Sequence, residues 1–391
     1  MSRVRLSVAL AVVAALGVAV FALWPSVSRP RIDATVAVRE ALASDDAGFA
    51  RALAPRSFSF PADHGPHPDF RTEWWYYTGN LKTAAGRHFG FQLTFFRIVL
   101  APGAVVRASA WATRQLYVAH FAVTDTAGGR GRFYAVSRTS REALGLAGAS
   151  ASPYRVWLED WFAEGDGPSA RLRASEADVA LDLVVTAAKP VVAQGDRGLS
   201  RKGPEPGNAS FYYSITRMPA RGVVRVGRES FDVSGEAWMD REWSTSALGP
   251  ALAGWDWFAL QLDDGRELMF YLLRRRDGTI DPFSAGTLVA ADGTTRALER
   301  GDVRVETLAH WTSPRSGVRY PARWRLIVPS VALQLAIAPQ LPDQELIVGT
   351  HYWEGAVAVT GTAGDRPVAG QGYIELVGYA EPRRRNSRRR R

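Results

Sequence analysis

Four short segments of this chain set a carboxylate among large aromatic side chains: Arg71-Thr72-Glu73-Trp74-Trp75-Tyr76-Tyr77, Trp238-Met239-Asp240-Arg241-Glu242-Trp243, Trp255-Asp256-Trp257-Phe258 and His351-Tyr352-Trp353-Glu354-Gly355. A carboxylic acid enclosed by apolar rings loses the hydration of its ionised form, so its pKa rises and it keeps a proton to donate near neutral pH. Ring faces stabilise a developing carbocation through their quadrupoles, by about 0.5 to 2 kcal/mol each. Together these are the requirements for adding water across an isolated carbon–carbon double bond, a reaction that needs no cofactor. Asp240, Asp256, Glu242 and Glu73 are the candidate acids. Trp74, Trp75, Tyr77, Trp238, Trp243, Trp255, Trp257, Tyr352 and Trp353, with Glu354 among them, are the candidate walls of an apolar ligand site.

Neighbouring residues of a strand face opposite ways. Glu73 therefore shares a face with Trp75 and Tyr77, Asp256 with Phe258 and Leu260, and Glu354 with Tyr352. Which face looks into a cavity does not follow from the sequence. A plainer reading stands beside the catalytic one: Asp240, Arg241 and Glu242 as an ion-pair network, Glu73 paired with Arg71, and the tryptophans as core, since ion-pair networks also perturb pKa values.

Other chemistries find fewer residues. A serine nucleophile elbow needs G-x-S-x-G between strand and helix, and Gly198-Leu199-Ser200 and Gly207-Asn208-Ala209-Ser210 lack the flanking glycine. His64 and His67 with Asp63 and Asp69 have metal-ligand chemistry, but Pro66 and Pro68 among them read as turn residues, and there is no HExxH. His120 and His310 are isolated and read as structural. The chain has no cysteine, so thiolate chemistry and disulfides are excluded. No dinucleotide fingerprint occurs, and no cofactor is implied.

The elements that must position these residues are strands. Aromatic and β-branched runs such as Phe89–Phe96, Tyr117–Val123, Ala180–Val185 and Val331–Ile337 alternate with Gly, Asp and Pro clusters about 8 to 12 residues apart, the pattern of an antiparallel sandwich or barrel. A weak internal repeat lays Trp74–Leu81 over Trp255–Leu262, each followed by a Gly-Arg turn and another strand. Two such hairpins point to a duplicated barrel. A length of 391 residues suits two domains, and the boundary is expected at Ser244–Ala253. Residues 31–55 read as a linker with a short helix. Gly195–Gly207 reads as a long irregular loop, placed over a barrel mouth.

The segments that carry the chemistry also carry a family likeness. His64-Gly65-Pro66-His67-Pro68, the Arg71–Gly79 and Trp238–Trp243 segments and Tyr352-Trp353-Glu354-Gly355 resemble the signature segments of the AttH / hydroxyneurosporene synthase family, over about Phe60 to Tyr379. That resemblance implies an all-β chain of two lipocalin-like antiparallel barrels in tandem, at residues 56–245 and 246–380. It also implies relatives that include carotenoid 1,2-hydratases and other tailoring enzymes, with acidic and aromatic residues here at Asp240, Trp243, Asp256 and Trp257. One position departs from the carotenoid hydratases: Arg241 and Glu242 stand where a histidine near Trp243 is expected.

The ends of the chain carry its charge. Net charge is +9, yet the tail Arg383–Arg391 holds seven arginines and Arg3, Arg5, Arg29 and Arg31 four more, which leaves residues 32–382 at −2. A near-neutral body argues against nucleic acid as a partner. Residues 381–391 read as a solvated Arg-rich tail. Arg3 and Arg5 before the apolar run Leu6–Trp24 read as a signal peptide or membrane anchor within residues 1–30, with the body periplasmic or extracellular and the inner membrane as a partner of that segment. The functional expectation is an exported lipocalin-like protein holding a hydrophobic, lipid- or isoprenoid-like small molecule in an aromatic-lined barrel. The alternative is a cofactor-free hydratase or cyclase, a hydro-lyase acting on a polyene or isoprenoid.

Overall fold

The structure, a computed structural model, describes residues 47–103, 109–127, 131–245, 248–349 and 351–380. The apolar run Leu6–Trp24, most of the linker and the Arg tail lie outside the described residues. Among the described residues no helix is long and apolar enough to cross a membrane. The described part of the linker, Ala47–Pro55, is turn and irregular backbone.

Two antiparallel, barrel-like sheets make up the molecule, one nearly closed and the other a half-barrel. From edge to edge the first runs Arg132–Arg141, Gln115–Asp125, His88–Val99, Thr72–Lys82, Glu229–Ser244, Ala209–Val226, Val179–Thr186, Ser169–Glu176, Trp161–Asp166, Tyr154–Leu158 and Ala147–Ala151. Arg138, on the edge strand Arg132–Arg141, reaches across to Asp160, in the turn after Tyr154–Leu158, and to Glu176, at the end of Ser169–Glu176 (2.5 and 3.0 Å). The second sheet runs Thr295–Glu299, Ala285–Val289, Glu267–Arg275, Leu252–Leu262, Arg366–Val377, His351–Ala363, Leu333–Pro339, Arg319–Val328 and Arg304–Thr312. The repeated hairpins occupy equivalent places. Each opens its sheet, and the leading strand of each pairs both with its hairpin partner and with the last strand of its sheet.

Side-chain alternation sorts the apolar residues into three layers. Trp75, Tyr77, Phe91, Leu93, Phe95, Met239 and Trp243 fill the inside of the first sheet. Phe258, Leu260, Phe270, Leu326, Leu335, Trp353 and Ile374 fill the inside of the second. Tyr76, Tyr212, Trp238, Trp257, Tyr271 and Tyr373 form a third layer where the outer faces of the sheets meet. Polar side chains staple this third layer at several points. Asn80 donates to the Gly372 carbonyl (3.0 Å), Gln261 to the carbonyls of Thr216 and Ala237 (2.8 and 3.0 Å), and Thr124 to Gln344 (2.7 Å). Buried Glu267 receives both Lys189 (2.8 Å) and Arg217 (2.5 Å).

Gly195–Gly207 departs from the expected loop. Leu199–Arg201 forms a short strand paired with Ala209–Phe211, and it delivers Ser200 and Lys202 to the layer between the sheets rather than to a barrel mouth. Three ladder residues suffice to order it because Ala209–Val226 offers a free backbone edge there.

Candidate active site

Alternation along the Trp238–Trp243 segment decides the chemistry. Met239, Arg241 and Trp243 point into the first barrel, while Trp238, Asp240 and Glu242 point toward the second sheet. Asp240 is enclosed there and accepts three hydrogen bonds, from the hydroxyls of Tyr212 (2.6 Å) and Ser214 (2.5 Å) and from the Trp238 indole (2.7 Å). Trp257, from the second sheet, donates to the Tyr212 hydroxyl (3.2 Å). Burial raises the Asp240 carboxyl to about 7; its three donors oppose this, and the Glu242 charge adds to it.

The second sheet answers with two carboxylates of its own. Glu354 is buried and accepts from the Tyr76 hydroxyl (2.5 Å), and burial followed by the charge of Glu375 holds it well above the usual carboxylate range. Glu375 is half-buried and has one oxygen bound to the Trp255 indole (2.8 Å). It too is pushed up to about 7, first by burial and then by the charges of Asp240 and Glu242, against the Trp255 bond. Asp240, Glu354 and Glu375 thus form one electrostatically coupled group across the two sheets, with Glu242 beside them. Lys202 lies 3.5 Å from Glu242 and over the Tyr271 ring (4.1 Å). Burial would neutralise that lysine, but the charge of Glu242 outweighs it and the pKa is raised. His120 closes the far side with Nδ1 2.7 Å from the Tyr352 hydroxyl, and burial lowers its pKa to about 4, so the ring is neutral. Trp74 and Trp255, half-buried like Glu375, are the side on which the cluster reaches solvent.

Of the residues expected from the sequence, Asp240, Glu242, Trp74, Trp238, Trp255, Trp257, Tyr352 and Glu354 come together in this layer. The other six do not. Glu73 lies inside the first barrel between the guanidinium groups of Arg97 and Arg241, with His67 3.2 Å away, and those charges hold its pKa far below normal despite burial. It is a permanent anion, which removes it as a proton donor. Its charge partners come from the two adjacent strands: Arg97 is its direct ladder partner on one side, and Arg241 lies two residues from its ladder partner Trp243 on the other, so both guanidinium groups share its face. Trp75 and Tyr77 share that interior, and Trp243 stacks on His67 (3.7 Å between ring centres). His64 and His67 belong to the same network: His64 meets the Tyr213 hydroxyl (2.6 Å) and His67 meets Asp63 (2.9 Å). Asp256 lies on the inner side of the second sheet, bound to Arg274 (2.8 Å) and the Tyr379 hydroxyl (3.0 Å). Burial raises its pKa against Arg274. Trp353 is in that interior as well, donating to the Pro342 carbonyl (2.8 Å).

Sequence reasoning missed Glu375, Tyr212, Ser214 and Lys202, and left His120 as an isolated histidine. One signal for Glu375 was present. Tyr373-Ile374-Glu375 repeats the acid-two-after-tyrosine spacing of Tyr352-Trp353-Glu354 on the adjacent strand. Ser214 and Lys202 had none, since their partners are 26 and 40 residues away in sequence.

A family model described as AttH-like matches residues 51–379. Kievitone hydratase of Fusarium solani subsp. phaseoli is 23% identical over 217 residues, covering 53% of this chain and 59% of that relative's length. The crystal structure of an AttH protein from Nitrosomonas europaea superimposes with a TM-score of 0.73 at 36% identity, covering 84% of this chain and 100% of that one. Kievitone hydratase from Nectria haematococca shares the fold, with a TM-score of 0.64 at 15% identity over 85% of this chain and 98% of that one.

Proposed function

We propose, from the premise that this chain belongs to the AttH-like family, that it is a hydratase-type acid catalyst acting on an apolar alkene held between its two sheets. The observation that carries this reading is the pair Asp240 and Glu375, one from each sheet, both pushed up to about 7 among tryptophan and tyrosine rings. A carboxylic acid with that pKa is both protonated and able to release its proton at neutral pH, the condition for general acid catalysis. Glu375 is the donor in this assignment, because one of its oxygens is bound only to Trp255 and it stands at the solvent-reaching side. Its proton goes to the less substituted alkene carbon, and the electron pair of the double bond forms the new C–H bond. Water adds to the resulting cation and passes a proton back to the carboxylate, so atoms and charge balance over the cycle. Trp74, Trp238, Trp255 and Trp257 stabilise the cation. Asp240 positions Tyr212 and Trp238. The name of the hydratase relative supports the reaction class.

The remaining expectations belong to this proposal: a lipid- or isoprenoid-like substrate, and export of the body by residues 1–30 with attachment to the inner membrane where that segment is retained. The test is incubation with kievitone, an acyclic carotenoid and simpler prenyl alkenes in isotope-labelled water, followed by mass spectrometry. Incorporation of one labelled oxygen, reduced about 100-fold or more in Glu375→Gln with binding kept, supports the assignment. Turnover that is indifferent to Glu375→Gln and Asp240→Asn overturns it. Tight binding with no turnover of any substrate would return the protein to the ligand-holding reading.

A further inference from the structure

The mouth of the first barrel contains a cavity of about 330 Å³, within the range of small-molecule sites. It is separate from the acid cluster, lying on the other face of the first sheet, and its walls have a definite chemistry. Ile215, Met218 and Met239 form an apolar floor. Ile215 and Met218 are three apart, so in a regular strand they would face opposite ways. A register shift between them turns both inward, and the same irregularity sends Arg217 outward to Glu267 of the second sheet. Small residues on the two rim hairpins, Ala151, Gly165 and Ala170, leave the space open.

Two polar pairs interrupt the apolar wall. The hydroxyls of Tyr77 and Tyr154 lie 2.7 Å apart. Only one of them can donate to the other, so one hydroxyl hydrogen has no acceptor among the described residues. His64 spends Nδ1 on Tyr213 (2.6 Å) and keeps Nε2 without a partner there. The ring is neutral, because burial and then the Arg241 charge lower its pKa to about 4. Asp166, exposed at the rim, is the one charged residue of the lining. The Arg241 charge also reaches Tyr77, Tyr154 and Tyr213. Glu73 balances that charge, so the wall offers an idle O–H donor that favours an electron-rich oxygen and no net buried charge to hold a cation or an anion.

We propose that this barrel mouth is a second ligand site, distinct from the acid cluster, for a neutral and mainly apolar molecule carrying a hydrogen-bond acceptor such as a ketone oxygen. The methionines let it accept more than one ring shape. The proposal does not depend on the hydratase reading.

The test uses the full chain with acetylnaphthalene, ethylnaphthalene and naphthoate as probes, titrated by calorimetry. Acetylnaphthalene should bind more tightly than the other two. Its affinity should fall about fivefold in the Tyr77→Phe/Tyr154→Phe double variant, the loss of about one hydrogen bond, and fall further in Ala170→Leu, which narrows the space. Thermal melts identify a variant that fails to fold, and a crystal soaked with a bromoacetylnaphthalene locates the probe independently by its anomalous signal. Signal between Tyr154 and Met218 supports the site. Equal affinity for the ketone and the hydrocarbon, no binding by the wild type, or signal confined to the layer between the sheets overturns it.

Discussion

Glu73 and Asp240 lie three ladder steps apart on paired strands, both buried, and they ionise in opposite senses. Burial pushes each upward. Two guanidinium groups reverse that at Glu73, whereas Asp240 has only neutral donors and a neighbouring carboxylate. Removing the Glu73 charge leaves Arg97 and Arg241 buried without their anion, so Glu73→Gln should cost about 3 to 5 kcal/mol, read from the shift in denaturation midpoint. The acids of the cluster behave in reverse. With Asp240 and Glu375 raised to about 7 when folded and near 4 when unfolded, the folded state binds more protons between those values. The stability they contribute is complete below pH about 4 and is lost as pH rises through about 7. Asp240→Asn should therefore flatten the fall in melting temperature across that window. A variant that melts with the wild-type pH slope would contradict the assigned ionisation. Turnover, if it uses the protonated Glu375, should decline above pH about 7 in the same titration.

The strands set these contrasts by alternation, and a few backbone features tune them. At Gly90 the two sheets approach closely: a Cβ there would stand 2.5 Å from the Ala356 Cβ. Gly90→Val should force the sheets apart and cost about 1 to 3 kcal/mol, as overpacking does, measured by denaturant titration. It should also lower affinity for any ligand gripped between the sheets while leaving the barrel-mouth site untouched, since that cavity lies on the opposite face of the first sheet. The irregularity between Ile215 and Met218 works at the same scale. One departure from regular register supplies the floor of a cavity on one side and an ion pair to the second sheet on the other.

At the scale of the whole molecule, the layer between the sheets has its own buried apolar cluster and is cross-linked by hydrogen bonds and ion pairs. Tyr76, Tyr212 and Trp238 pack against Trp257, Tyr271 and Tyr373, and separating the sheets would expose these rings and break the bonds at Asn80, Gln261 and Glu267 together. Calorimetry should accordingly show one cooperative transition rather than two. Residues 252–380 produced alone would expose Trp257, Tyr271 and Tyr373 and should aggregate or bind a hydrophobic dye. Two well-separated melting transitions would show that the sheets are independent.

Sequence periodicity was enough for the all-β class, for the duplicated leading hairpins and for which residues share a face, because alternation is a local property of strands. Glu73 with Trp75 and Tyr77, Asp256 with Phe258, and Glu354 with Tyr352 all keep their expected company. The motif segments were likewise enough for the family. What alternation cannot state is what lies opposite a face. Whether Glu73 meets two arginines, Asp256 meets Arg274, or Asp240 meets Glu375 depends on pairings between residues 18 to 168 positions apart. A carboxylate's ionisation follows the charges around it, so the tertiary structure alone separated the acids that keep a proton from the one that never holds it.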